Sequence, residues 1–118
     1  MKKPIADRAE VALDFPEKYY YGSFDRDSTY DLTADSHGVH IDLDRRAGGH
    51  RHVAFHLHYY LLADIIGAMA AALPKHEELT ASQWDALAEA CGKLDKALQH
   101  GVRPPRRKKN SARRQKTP

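Results

Sequence analysis

One cysteine, Cys91, stands in 118 residues, so no intrachain disulfide can form and a disulfide-stapled scaffold is excluded. A long apolar run is also lacking. The least polar stretch, Leu61 to Leu73, contains Asp64 and falls far short of the roughly 20 residues that span a bilayer. Met1-Lys2-Lys3 opens as a secretory leader would, but Asp7, Arg8 and Glu10 interrupt the place of its apolar segment. These absences lead us to expect a cytoplasmic protein that does not enter a membrane. Neither GxGxxG nor GxxxxGK[ST] occurs, so Gly48 and Gly49 do not make a phosphate loop, and HExxH and paired CxxC motifs are missing. No repeat of solenoid period is present. A hydrophobic fraction of 42% with 30% charged residues is enough for a core, which excludes a collagen-like or wholly disordered chain.

Acidic residues are absent from one end of the chain. From residue 103 onward the charged residues are Arg103, Arg106, Arg107, Lys108, Lys109, Arg113, Arg114 and Lys116, giving +8 over 16 residues. Of 19 basic residues, removing those eight leaves 11 against all 16 acids, so residues 1–102 carry about −5. Only Val102 and Ala112 are apolar near this end, too little to offset the ordering entropy, so we expect residues 103–118 to form a disordered basic tail on a body of residues 1–102.

The body is readable by period. Tyr30, Leu32 and Ala34 alternate with Thr29, Asp31 and Thr33, and Val39, Ile41 and Leu43 alternate with His40, Asp42 and Asp44. Val53, Phe55 and Leu57 alternate with His52, Ala54, His56 and His58. Three half-buried strands follow. Pairing Ala34 with Val39 across Asp35-Ser36-His37-Gly38 sets Leu32 against Ile41 and Tyr30 against Leu43, so apolar meets apolar. For the next pair the same condition requires paired positions to sum to an even number, for example Asp44 with His52 and His40 with His56, and Gly48 and Gly49 can supply positive φ in the connection. The aromatic segment Glu17–Phe24 reads as a fourth strand entering this meander through Asp25-Arg26-Asp27-Ser28. Residues Ala9–Phe15 alternate as well, but Pro16 follows at once, leaving an edge strand, an irregular lead-in or a helix open there.

After Tyr59 the period lengthens to near 3.6, with Leu62, Ile65, Ile66, Met69 and Leu73 on one stripe, which predicts a helix over 60–73 closed by Pro74. Thr80-x-x-Gln83 fits a capping box. Trp84, Leu87, Cys91, Leu94 and Leu98 then recur at helical spacing until Gly101, a candidate C′ residue. The order implies an α+β fold, an antiparallel β-meander of about four strands followed by two amphipathic helices packed on one sheet face. On that reading Phe55, Leu57 and Trp84 point into the core and Cys91 is a small buried hydrophobe.

Six of eight histidines fall between positions 37 and 58, and parity places His40, His52, His56 and His58 opposite the core beside Asp31, Asp42 and Asp44. Residues two apart on a strand lie about 6 to 7 Å apart on one face, so His56 and His58 can share an ion such as Zn²⁺, with His40 across the strand pair as third ligand. His52 is about 13 Å from His56 on the same rise and belongs elsewhere on that face. The competing readings of these histidines are a pH-responsive or partner-contacting surface and an uneventful solvated one. Tyr19, Tyr20 and Tyr21 are weighed as a base-stacking platform against edge aromatics covering the core, and the negative body favours the second.

No activated nucleophile is evident, and the reading leans against an enzyme with no resident cofactor required. The function expected is a small binding or adaptor module: an acidic body that recognises a protein or itself through the sheet face, and a cationic tail that contacts nucleic acid phosphates without sequence preference. The alternative is a metal- or ligand-binding protein using the His/Asp face. For the tail, docking on an acidic protein, on an anionic membrane, or back onto the acidic body are the competing readings, and the missing amphipathic spacing makes the membrane weakest.

Overall fold

The computed structural model describes residues 2–75 and 78–101, and the basic residues Arg103 to Lys116 lie outside them. By its internal contacts the chain divides into two units, Met1–Lys75 and His76–Pro118. The class is α+β.

In the first unit, β1 (Lys3–Pro4), β4 (Ser28–Ala34), β5 (Gly38–Arg45) and β6 (Arg51–His58) form a four-stranded antiparallel sheet in the order β1-β4-β5-β6. Pro4 is tolerated because β1 is an edge strand, where the missing N–H breaks no ladder. The register of the three long strands is the one that apolar pairing requires: Leu32 faces Ile41, Ile41 faces Phe55, and His40 faces His56. Gly48 and Gly49 take φ of 71° and 101° in the β5–β6 connection, a region that side chains disfavour. Gly38 answers a different need. A Cβ there would strike the Leu57 carbonyl oxygen and come within 2.8 Å of the His58 Cα, so its absence lets β6 approach β5 at the start of the strand.

The aromatic segment does not enter the meander. It forms β3 (Lys18–Phe24), which pairs along its whole length with β2 (Ala9–Phe15) as a separate two-stranded sheet. Pro16 and Glu17 connect Phe15 directly to its pairing partner Lys18, and a two-residue hairpin costs less loop entropy than a distant pairing. Asp25 and Ser28 then close the turn into β4, with the Ser28 N–H donating to the Asp25 carbonyl at 3.0 Å. The hairpin is tied to β5 by Arg45, which donates to the Ser23 carbonyl at 3.3 Å and pairs with Asp27 at 3.3 Å. Among the described residues, Val11 and Phe24, both on this hairpin, are the buried apolar side chains, and Phe24 is fully enclosed.

Burial therefore lies elsewhere than the period suggested. On the apolar face of the sheet, Leu32 is 54% and Phe55 39% exposed. The helix α1 (Tyr59–Ala72) begins at the residue after β6 ends, runs into a short 3₁₀ turn at Leu73–Lys75, and has no buried residue. No residue separates β6 from α1, where βα connections ordinarily take about 2 to 6 residues.

The second unit contains α2 (Ala81–His100). Its capping box is complete: Thr80 Oγ1 accepts from the Gln83 N–H at 3.1 Å, and the Gln83 side chain accepts from the Thr80 N–H at 2.9 Å. Gly101 ends the helix with φ −75°, so termination does not use the left-handed conformation expected of a C′ glycine. Trp84, Leu87, Leu94 and Leu98 are exposed, and so is Cys91, which was expected inside. No helix among the described residues is long and apolar enough to cross a membrane.

A core concentrated at the hairpin predicts where truncation hurts. Phe24→Ala should lower stability by about 3 to 5 kcal/mol, as large-to-small changes in a packed site do, whereas Phe15→Ala on the same hairpin, 58% exposed, should cost less than about 1 kcal/mol. Denaturant melts of the two variants check this, and equal losses would place the core elsewhere.

Candidate metal centre

The turn between β4 and β5 sets the first group of the site. Asp35 accepts from the backbone N–H groups of His37 and Gly38 through Oδ1, at 2.8 and 3.0 Å, the bonding by which an Asx turn substitutes a side chain for a backbone partner. The Asp35 N–H donates to the Gly38 carbonyl at 2.9 Å, and the Tyr59 hydroxyl donates to the Asp35 carbonyl at 2.7 Å, anchoring the turn to the start of α1. Two bonds thus orient the carboxylate and two more hold the Asp35 backbone. Its second oxygen is left to face the sheet.

The carboxylate meets two imidazoles there. His40 and His56 are directly opposed on β5 and β6, and their rings stack with centroids 3.9 Å apart and planes 7° from parallel. Asp35 Oδ2 lies 2.8 Å from His40 Nε2, and Asp35 Oδ1 lies 3.7 Å from His56 Nε2. One ligand atom from each of the three residues falls within 4.8 Å of the others. Zinc bonds of about 2.0 to 2.2 Å to nitrogen and oxygen place neighbouring ligand atoms roughly 3.3 Å apart in a tetrahedron, inside the range that these contacts span. All three side chains are between a third and a half exposed, so an ion held here would keep positions open to water.

Charge favours a cation. The bond with His40, then the two backbone N–H groups, hold the Asp35 carboxyl well below the usual carboxylate range, so it is ionised at any ordinary pH. Two imidazoles and a carboxylate make a donor set suited to first-row divalent ions. The backbone bonds to Asp35 serve as the outer contacts that fix a ligand's direction.

Of the residues singled out by sequence, His40 and His56 come together here. His58 stands beside them, its ring 4.8 Å from that of His56 and tilted by 59°, but it caps α1 opposite Gly38 and is not among the converging atoms. Asp35 was passed over as a turn residue. The available signal was an aspartate at the head of the β4–β5 turn, with a histidine five residues on that parity places on the polar face.

Asp42, Asp44 and His52 lie farther along the same face. They line a shallow cavity of about 70 Å³ with Lys2, Thr29, Tyr30 and Asp31. Asp44 is already engaged, by Lys2 at 3.2 Å, His50 at 2.9 Å and Arg46 at 3.9 Å. The Lys2 bond first, with His50, lowers its carboxyl against the opposing effect of burial. His52 pairs with Asp42 at 3.5 Å. These groups satisfy one another. On the hairpin, Tyr19 and Tyr21 are exposed, and Tyr20 lies 5.9 Å beneath the Arg51 guanidinium.

Comparison with protein-family models, curated proteins and solved structures returns no match.

The Asp35 geometry has a pH signature. Because the folded-state value lies below the ordinary one near 3.9, Asp35 strengthens the fold above that pH, and the contribution is lost as acid carries the pH down through the folded value. Carboxyl carbon shifts followed by NMR should show Asp35 ionised well below pH 3.9 in the wild type, and His40→Ala should move its titration upward toward that value. A wild-type midpoint in the ordinary range would mean that the turn is not closed as described.

Proposed function

We propose that this chain is a small metal-binding module whose Asp35, His40 and His56 take a first-row divalent ion such as Zn²⁺. The convergence of three ligand atoms within 4.8 Å, from β5, β6 and the turn between β4 and β5, carries this reading. Protons compete with metal for imidazole nitrogen, so affinity should fall as pH drops. Calorimetric titration of the tag-free full chain with Zn²⁺ at neutral pH should give one ion per chain. His56→Ala and Asp35→Asn should each abolish stoichiometric binding, the second while keeping an oxygen for the turn's N–H groups, and His100→Ala should leave it unchanged. Weak uptake equal in all four proteins would refute the site.

A second reading rests on a separate observation, the eight basic and no acidic residues between Arg103 and Lys116. A chain segment of that charge binds nucleic acid phosphates without sequence preference, with the metal-binding body held nearby. Full-length protein should shift DNA or RNA at low salt with affinity falling steeply as salt rises, and truncation after Val102 should remove most of it. Undiminished binding by the truncated protein would assign the contact to the body. The acidic body and cationic segment support an adaptor role in the cytoplasm, joining nucleic acid to a protein or to a second copy.

A further inference from the structure

We propose that Tyr59 is a positioning residue of the cation site, and that through it occupancy of the site is coupled to the first turn of α1, a proposal that rests on the metal reading above. Tyr59 is the first residue of α1. Its hydroxyl reaches 24 residues back along the chain to donate to the Asp35 carbonyl at 2.7 Å. Burial does not explain the ring's place, since Tyr59 is 44% exposed, and it supplies none of the converging ligand atoms.

What the bond sets is the distance between Asp35 and the ligand on β6. The contacts of Asp35 with the His37 and Gly38 N–H groups and with the Gly38 carbonyl are all internal to the turn, and His40 follows two residues later on β5. None of them reaches β6. His56 Nε2 stands 3.7 Å from Asp35 Oδ1, beyond hydrogen-bonding distance, so these two ligands do not hold each other. The β5–β6 ladder ends beside the turn at Gly38 and His58, and Tyr59 continues from there to the Asp35 backbone. An aspartate carboxylate is aimed by two side-chain torsions from its own Cα, so moving the backbone moves both oxygens. With its carbonyl held, Asp35 stays within reach of an ion on His56.

The same bond stands where α1 has little else to begin it. His58, its N-cap, makes no side-chain capping bond, and no acidic residue lies in the first turn, so two ordinary supports of a helix start are missing. Closing the first turn is the costly step in forming a helix. An ion that draws Asp35 and His56 together holds the Asp35 carbonyl under the Tyr59 hydroxyl and lowers that cost. Thermodynamic reciprocity then requires that a closed first turn raise affinity for the ion by the same factor.

Tyr59→Phe removes the hydroxyl alone. Calorimetric titration of the tag-free full chain with Zn²⁺ should give one ion per chain for both proteins, with the dissociation constant raised about tenfold in the variant, the low end for losing an outer contact of a metal ligand. Tyr60→Phe, at a residue 92% exposed, should leave it unchanged. Amide hydrogen exchange supplies a readout that a purely structural role would not move. The Ala63 N–H bonds the Tyr59 carbonyl when the first turn is closed, so saturating Zn²⁺ should slow its exchange severalfold in the wild type and leave it unaltered in Tyr59→Phe, although the ion fills the site in both. Wild-type protein that takes no Zn²⁺ would remove the metal reading and this coupling with it. Stoichiometric binding with wild-type exchange at Ala63 indifferent to the ion, or with affinity undiminished in Tyr59→Phe, would overturn the coupling alone.

Discussion

A slip of one residue between β4 and β5 would exchange the two faces of the sheet, sending Leu32 and Ile41 toward the aspartates and histidines. The register of the three long strands is the constraint on which the rest depends. It puts Ile41 between Leu32 and Phe55, and the same pairing puts His40 against His56. The polar cluster and the apolar face are thus consequences of one arrangement. Gly38 belongs to it as well, since any side chain there would push β6 away at the point where His56 must reach the turn.

The chemistry of the site follows from how the turn presents Asp35. Backbone N–H groups engage one carboxylate oxygen, leaving the other beside His40. A carboxylate beside the edges of two stacked imidazoles gathers three lone-pair donors at one spot. A divalent ion there would meet all three. At the other end of the face, Asp44 is engaged by Lys2 and His50, and a group so paired has little left to offer an ion.

Strand positions were legible because alternation is strict over three consecutive segments, and it limits the β5–β6 register to even-sum pairings, of which the fold takes His40 with His56. The second helix was legible at its start, where Thr80 and Gln83 encode both bonds of the capping box. The β2–β3 hairpin was not, because Pro16 reads as a strand terminator and gives no sign that its neighbours Phe15 and Lys18 pair across it. Exposure was not legible either. Period tells which residues share a face, but it does not say how much of that face is covered, and Leu32 and Phe55 stay half-exposed. Asp35 was missed for a related reason: its role depends on a fold-back that brings β6 beside the turn.

The proposed cation site rests on one register bringing Asp35, His40 and His56 together. Cadmium NMR of protein carrying isotope-labelled histidine nitrogens tests it most directly, because a coupling between the metal and a ring nitrogen identifies each ligand atom. Couplings to Nε2 of His40 and His56, lost in His56→Ala, are predicted. Coupling to His52 or His58 in their place, or a metal signal without any histidine coupling, would contradict the account.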